Sequence, residues 1–352
     1  MEKVLIIPAA GKSSRFKKMR PKWLLTMPDG KLMIEKSLGL LNRQEFDRVI
    51  VTCLKEHLDA YIKPESLIEI LSKLDFKKIN ICILDGETKS QSETVAATII
   101  KEGICGPIFV KDCDNEFSFS WDGGNEIATV DLHTMDKIDA CNKSYVELDS
   151  LGKVQNIVEK KVISSYFCCG GYGFANSDNF LQAFDSIKTL GEIYLSHVIF
   201  EMIMRGVNFQ SKLASNYQDW GTARDYLDYQ QSHLTLFCDV DGVLFKNGSK
   251  FGAVGWKTPV IKENLTAIKE LKDSGLLFLV ITSSRPESEI PHIEKSLAIE
   301  GITADRYLMD LPHAKRVLVN DYSLTNPYPS AQAINISRDS PELSNILKSF
   351  IS

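Results

Sequence analysis

The sequence predicts an α/β protein built from two consecutive units, each organised around a largely parallel sheet. Three observations predict it. Compact apolar runs without alternation recur at residues 3–7, 49–53, 79–84 and 108–111, as in strands buried on both faces of a parallel sheet. Between them lie segments with apolar residues at three-to-four spacing, the pattern of crossover helices. A second series of the same kind begins near residue 232, which suits 352 residues at roughly 150 per domain.

The elements follow in order. Helical spacing falls at 32–41, 66–74 and 93–101. From 126 to 174 the pattern turns to alternating strands, and 145–148 and 154–159 flank Asp149-Ser150-Leu151-Gly152, a hairpin composition that makes the first sheet mixed. Helices return at 179–187 and 194–204. The polar stretch 225–232 ends the first unit, so the units are placed at 1–231 and 232–352. The second unit reads as a buried strand at 234–240, a helix at 260–271, a strand at 276–282 and a helix at 287–299. Strands at 316–319 and 333–336 follow.

Lysine plus arginine number 41 and aspartate plus glutamate 46, a formal charge of −5. That balance argues against a nucleic-acid partner, which would call for a basic surplus, but says nothing of individual anion pockets. No apolar run approaches the roughly 20 residues that span a bilayer. The opening Met1-Glu2-Lys3-Val4-Leu5-Ile6-Ile7-Pro8 lacks a signal peptide's layout, and a cytoplasmic location is expected. The eight cysteines form no CxxC pair and no zinc pattern, and read as reduced core thiols.

The first strand runs into Ala9-Ala10-Gly11-Lys12-Ser13-Ser14-Arg15-Phe16, with Pro21-Lys22 following. Small residues after a parallel strand let backbone N–H groups of Ala9 through Ser14 approach a phosphate chain. Arg15 and Lys22 would neutralise it, one through a planar fork and the other as a movable charge. The same segment also reads as a tight strand-to-helix turn beside solvated basic residues. Further on, Lys111-Asp112-Cys113-Asp114-Asn115 ends a buried strand with two carboxylates, where ligands of open α/β sheets bind. Carboxylates facing triphosphate oxygens suit Mg²⁺; the alternative is an Asx-turn with solvated acids.

Ala9, Ala10, Gly11, Arg15, Pro21 and Lys22 resemble the opening motif of the nucleotidyltransferases that join a sugar or alcohol phosphate to a nucleotide. Ser13 stands where that family has a second glycine. The resemblance covers about residues 1–230 and implies a Rossmann-like, glycosyltransferase-A-like mixed sheet. It implies base and ribose contacts from Gly86 to Glu93, with Gln91 and Ser92 among them. It places Glu159, Lys160, Gly171 and Glu192 at the acceptor sugar phosphate, and Asp219 with Asp112 or Asp114 on Mg²⁺, Asp112 being favoured of the two. CTP is the favoured nucleotide, with UTP, dTTP and GTP as alternatives. The acceptor would be a sugar or polyol phosphate of a capsule or surface-polymer pathway, and a homo-oligomer is allowed.

In the second unit, Asp239-Val240-Asp241-Gly242 at a strand end resembles the haloacid dehalogenase (HAD) superfamily. That resemblance implies a Rossmann-like phosphatase without a large cap, in which Asp239 attacks phosphorus and Asp241 is general acid/base. It implies Thr282 on a phosphate oxygen, Lys315 beside the aspartyl-phosphate, and Mg²⁺ on Asp239, Asp241 and Asp321. Asn320 replaces an acid the family often has. The whole chain thus reads as a bifunctional nucleotidyltransferase and phosphatase. Two other readings stand beside it: a glycosyltransferase using a finished nucleotide-sugar, and a second unit reduced to a binding or dimerisation module.

Overall fold

Side chains alternate across strand β1 (Val4–Ala9), and this sets the architecture of the first unit. Val4 and Ile6 enter one apolar layer, Leu5 and Ile7 the other, all four fully buried. A strand dry on both faces must have helices or loops on both sides. β1 lies between β2 (Arg48–Leu54) and the later strand β4 (Ile108–Lys111), and β3 (Ile79–Leu84) lies outside β2, all parallel. The computed structural model describes residues 1–11, 16, 19–135, 139–321 and 331–349. The chain divides into Met1–Tyr226 and Leu227–Ser352.

The rest of the first unit adds β5 (Asn115–Ser118), β6 (Glu126–Asp131), β7 (Ser144–Leu148), β8 (Val154–Glu159), β9 (Tyr166–Phe174), β10 (Gln210–Leu213) and β11 (Ser215–Asp219). β9 pairs antiparallel with β4 and β6, which makes the sheet mixed as expected; the path runs β10-β6-β9-β4-β1-β2-β3. β7 and β8 form the expected hairpin, and β11 pairs with β5 in a separate antiparallel ribbon.

Helices α1 (Met33–Ser37), α2 (Lys55–Tyr61) and α3 (Pro64–Ser72) precede β3. α4 (Gln91–Glu102), α5 (Ser177–Ile187), α6 (Leu195–Met204) and α7 (Ala223–Gln231) complete the set. Val95 and Ile99 of α4, Phe180 of α5 and Val198 of α6 share the layer of Val4 and Ile6. Leu67 and Leu71 of α3 share the opposite layer with Trp23 and Leu5. Each such side chain contributes about 1.5–3 kcal/mol by leaving water. The helix expected over 32–41 is only one turn and a half, ending at Ser37 with Leu38 as its cap; α2 has no counterpart in the sequence reading. α4 is well specified at its ends. The Ser90 hydroxyl accepts the Glu93 amide at 3.2 Å, and Gly103 closes it at φ +59°, the left-handed conformation glycine adopts without cost.

The second unit has a three-stranded parallel sheet of β12 (Leu234–Asp239), β13 (Leu277–Thr282) and β14 (Arg306–Leu308), in that order. Helix α8 (Lys262–Asp273) crosses between β12 and β13, and α9 (Ile290–Ile299) between β13 and β14. Leu265 and Ile268 of α8, Ile293 and Leu297 of α9, and Leu343 and Leu347 of the short α10 (Leu343–Lys348) pack one core with Leu279 and Ile281. The strands expected at 316–319 and 333–336 do not form. Val317, Leu318 and Val319 are 72%, 54% and 92% exposed, so that run of apolar residues is not buried by any neighbouring strand. The short third strand, β14, escaped the sequence reading because Arg306-Tyr307-Leu308 lacks a buried apolar run.

Candidate active site

The carboxyl ends of β1 and β4 open onto a cavity of about 540 Å³ in the first unit. Ala9 and Gly11 line it from the first strand, Ser90, Gln91 and Thr94 from the start of α4, and Asp112, Cys113 and Asp114 from the end of β4. Lys22, Lys143, Glu159, Lys160, Glu192 and Asp219 line it as well. Lys12, Ser13, Ser14 and Arg15, expected on the phosphates, lie outside the described residues.

Asp112 and Asp114 leave β4 on one side of the cavity. Gln91 donates through Nε2 to Asp112 Oδ1, and Lys22 pairs with Asp114 Oδ2. Burial, with the charge of Asp114 next to it, pushes Asp112 up to about 6. Burial also works against the Asp114 charge, but Lys22 outweighs it and holds that carboxyl below its usual range. Asp219, at the end of β11, completes the acidic group. Its Oδ1 accepts the Gly221 amide at 3.1 Å, and its Oδ2 pairs with Lys143.

Beneath this group sits Lys111, a fully buried lysine that sequence reading did not single out. Its ammonium donates to the carbonyl oxygens of Asp112 (2.7 Å) and Asn115 (2.8 Å) and to Asn115 Oδ1, and stands 4.4 Å from the Phe117 ring centroid. Burial lowers its pKa to about 8. A buried cation must be paid back by hydrogen bonds, and here those bonds tie down the loop that carries both aspartates.

On the opposite wall, the Glu159 carboxylate accepts from Ser144 and, at 2.7 Å, from Ser196 at the start of α6. Lys160 donates to the Tyr194 hydroxyl at 2.5 Å with its ammonium 4.1 Å from that ring's centroid. Tyr194 and Ser196 lie two residues apart at the start of α6, whereas Ser144 comes from β7, so no single local motif gathers all three.

Three expected residues face elsewhere. Ala10 is buried and absent from the lining. Ser92 is turned into the fold, and its neighbours Gln91 and Thr94 face the cavity instead, because helix geometry turns each residue about a quarter-circle from the last. Gly171 packs on the core, where a Cβ would sit 2.7 Å from Phe117 and 2.9 Å from Phe109. Strand alternation brings Gly170, not Gly171, to the site.

The donor set can be tested against Mg²⁺. A Cβ on Gly221 would lie 3.2 Å from Asp219 Oδ1 and 3.4 Å from Asp114 Oδ2, so the glycine leaves clear the ground between two carboxylates. No group of three or more His, Cys, Asp or Glu side chains among the described residues is arranged as a closed metal cage. Two carboxylates without a cage suit Mg²⁺, which completes its shell with waters and phosphate oxygens.

In the second unit, β12 and β13 place Asp239 and Thr282 side by side in register. The chain then turns at Gly242, φ +84°, where a Cβ would meet Arg338 at 2.9 Å. Asp241 accepts two bonds from Arg285, at 3.0 and 2.7 Å. Arg285 is fully buried, donates also to the Trp256 carbonyl at 3.2 Å and lies over the Phe245 and Trp256 rings. The expected Lys315 and Asp321 are not gathered here: both are exposed, in chain without regular structure. Arg316 stands in the place expected of Lys315, donating to Thr282 Oγ1 at 3.1 Å and Asp239 Oδ1 at 3.3 Å. The reason is the missing strand: without it, nothing carries Asp321 to the sheet's end.

Residues 5–84 match the MobA-like NTP transferase domain. No curated protein matches the chain by sequence. Among solved structures, a nucleoside-diphosphate-sugar pyrophosphorylase from Vibrio cholerae RC9 superposes with a TM-score of 0.55 at 23% identity, covering 64% of this chain and 99% of that one. An inositol-1-phosphate CTP transferase from T. maritima gives 0.52 at 15%, covering 64% and 91%. A UDP-glucose pyrophosphorylase complexed with UDP-glucose gives 0.51 at 15%, covering 66% and 98%. At these identities the likeness shows the fold, an α/β mixed sheet of the nucleotidyltransferase type.

Proposed function

We propose that the first unit transfers a nucleotidyl group from a nucleoside triphosphate, CTP by preference, to a sugar or polyol phosphate and releases pyrophosphate. The observation that carries this is the pairing of Asp114 with Lys22 and Asp219 with Lys143 around Gly221, in a cavity opened by β1 and α4. The domain match over residues 5–84 and the motif at Ala9 to Lys22 support the triphosphate. The CTP transferase among the neighbours supports the choice of CTP.

An oxygen of the acceptor phosphate attacks the α-phosphorus; the bond from that phosphorus to the bridging oxygen breaks, and pyrophosphate leaves with its electron pair. Lys22 meets the charge of the triphosphate, and Glu159, Lys160 and Glu192 hold the acceptor in line. The acceptor phosphate is already ionised, so no general base is needed. Asp219 with Asp112 or Asp114 would hold Mg²⁺, which would supply charge neutralisation at the phosphates.

For the second unit, the reading is a HAD-type phosphomonoesterase with Asp239 as nucleophile, supported by the juxtaposition of Asp239, Thr282 and Arg316. The clamp of Arg285 on Asp241 favours a second reading, a unit that binds phosphate without turning it over. Four nucleoside triphosphates against a panel of phosphorylated sugars and polyols, read by pyrophosphate release, test the first unit. Absence of release from every pair, with folded protein and Mg²⁺, overturns the assignment. Release of free nucleoside diphosphate from a nucleotide-sugar would point instead to glycosyl transfer.

A further inference from the structure

Lys143 occupies a position that the motifs do not explain. It lies just before β7, outside every segment that resembles a known motif. Yet its ammonium pairs with Asp219 and donates to the Tyr217 hydroxyl at 2.8 Å, and its side chain is only 13% exposed. It also stands 5.5 Å from the Tyr217 ring centroid. The next residue, Ser144, holds Glu159 on the acceptor wall. Lys143, with its ammonium on Asp219 and its chain neighbour Ser144 on Glu159, thus sits between the acidic group and the acceptor wall.

The two carboxylates flanking Gly221 each carry one lysine. Lys22 pairs with Asp114 from the turn Lys22–Leu24, and Lys143 pairs with Asp219 beside Ser144, which holds Glu159. A divalent cation between those carboxylates and an ammonium on each compete for the same oxygens. Tyr217 gives the Lys143 ammonium a second partner besides Asp219. Lys160, on the same wall, has its ammonium against the Tyr194 hydroxyl and ring.

We propose that Lys143 is the residue that binds the phosphate of the acceptor, and that it does so by exchanging Asp219 for that phosphate when a divalent cation takes the carboxylate. In the ligand-free protein it stands in for the cation at Asp219. Tyr217 is the positioning residue that keeps the ammonium within reach of both partners. This rests on the nucleotidyltransferase reading of the first unit, and it assigns the acceptor subsite a phosphomonoester dianion as its ligand.

The test uses the full chain, Lys143→Met, Lys143→Arg and Tyr217→Phe. Mn²⁺ binding without nucleotide is read by electron paramagnetic resonance, and binding of CTP and of glycerol 3-phosphate in the presence of Mn²⁺ by calorimetry. Lys143→Met is expected to bind Mn²⁺ several-fold more tightly, since a competing charge is gone, and glycerol 3-phosphate about tenfold more weakly, the worth of one charge-assisted hydrogen bond. CTP affinity stays within about twofold of wild type, within the effect of an uninvolved surface site. Lys143→Arg retains most of the glycerol 3-phosphate affinity, and Tyr217→Phe falls between. Weaker Mn²⁺ binding in Lys143→Met overturns the proposal, because it would make the lysine a mere support for Asp219. Unchanged glycerol 3-phosphate affinity overturns it too. None of these readouts needs turnover. Failure of pyrophosphate release in wild type would therefore strike the function and leave the exchange to be decided by binding.

Discussion

Gly170 of β9 stands directly behind Asp112: its carbonyl accepts the Asp112 amide at 2.8 Å, and a Cβ on it would lie 2.6 Å from Asp112 Oδ2 and 2.5 Å from Asn115 Nδ2. Its φ of +91° is one that side chains resist. Gly170→Ala is therefore strained by both conformation and contact. The variant is expected to lose about 2 kcal/mol or more of stability, read from urea midpoints, and to lose pyrophosphate release as Asp112 and Asn115 shift. A midpoint equal to wild type would contradict this packing.

Gly221→Ala differs in kind. Its backbone is not in the left-handed region, and its Cβ would meet carboxylate oxygens at 3.2 and 3.4 Å. Stability is expected to change by less than about 1 kcal/mol, while Mn²⁺ affinity falls several-fold because a methyl group enters the space between Asp114 and Asp219. Equal Mn²⁺ binding would move the cation site elsewhere.

Lys22→Met removes the partner of Asp114 and one charge from the triphosphate side. We expect kcat/KM for the nucleotide to fall by about 10²–10³, the usual loss when one stabilising donor is removed at a reacting phosphate or acyl group. The KM for the acceptor should change little. Measuring both constants on the same preparation separates this residue from Lys143.

Much of this was legible from one sequence, and the failures have physical causes. Non-alternating runs such as that of β1 mark strands because a doubly covered strand must be apolar on both sides. The acid pair Asp112 and Asp114 is visible because it ends such a run. Gly170 and Gly171 are adjacent glycines, and only the strand's phase decides which of them faces the cavity. Lys111 ends a run that reads as a buried strand, but its part in the site does not show, because the oxygens that satisfy it belong to a loop whose path the sequence does not reveal. Lys143 and Asp219 are far apart in sequence and meet only through tertiary folding. In the second unit, the apolar run at 316–319 satisfied the strand pattern, but no neighbouring strand covers it.

Acid stability offers a check on the second unit that is independent of catalysis. Asp305 Oδ2 accepts from Lys272 Nζ at 2.7 Å and from the Leu279 amide at 2.6 Å, tying α8 to β13. Burial pushes its carboxyl up, but those two bonds outweigh it and hold it below the ordinary 3.8. Because the folded pKa is depressed, the stabilisation is complete above the unfolded value and fades as pH falls through the folded one. Asp305→Asn should be about 1–2 kcal/mol less stable at pH 7, with the gap to wild type closing below about pH 4. A gap that is constant with pH would contradict the assignment.

Asp239→Asn should abolish any phosphate release from phosphomonoesters and leave nucleotidyl transfer unchanged. Arg285→Leu should cost about 3–5 kcal/mol of unfolding stability in the second unit, since it leaves Asp241 without its buried partner. Calorimetry of the full chain reads that loss, and phosphate release by the Asp239→Asn protein would remove Asp239 as nucleophile.

That an oxygen of the acceptor phosphate attacks the α-phosphorus of a nucleoside triphosphate is the step on which the proposed function rests. It is tested most directly with an acceptor phosphate labelled with ¹⁸O and unlabelled CTP, in the presence of Mg²⁺. The expected result is one unlabelled pyrophosphate per product formed, with ¹⁸O in the bridge between nucleotide and acceptor. Label in the released pyrophosphate, or a nucleotide product formed without pyrophosphate, would contradict it.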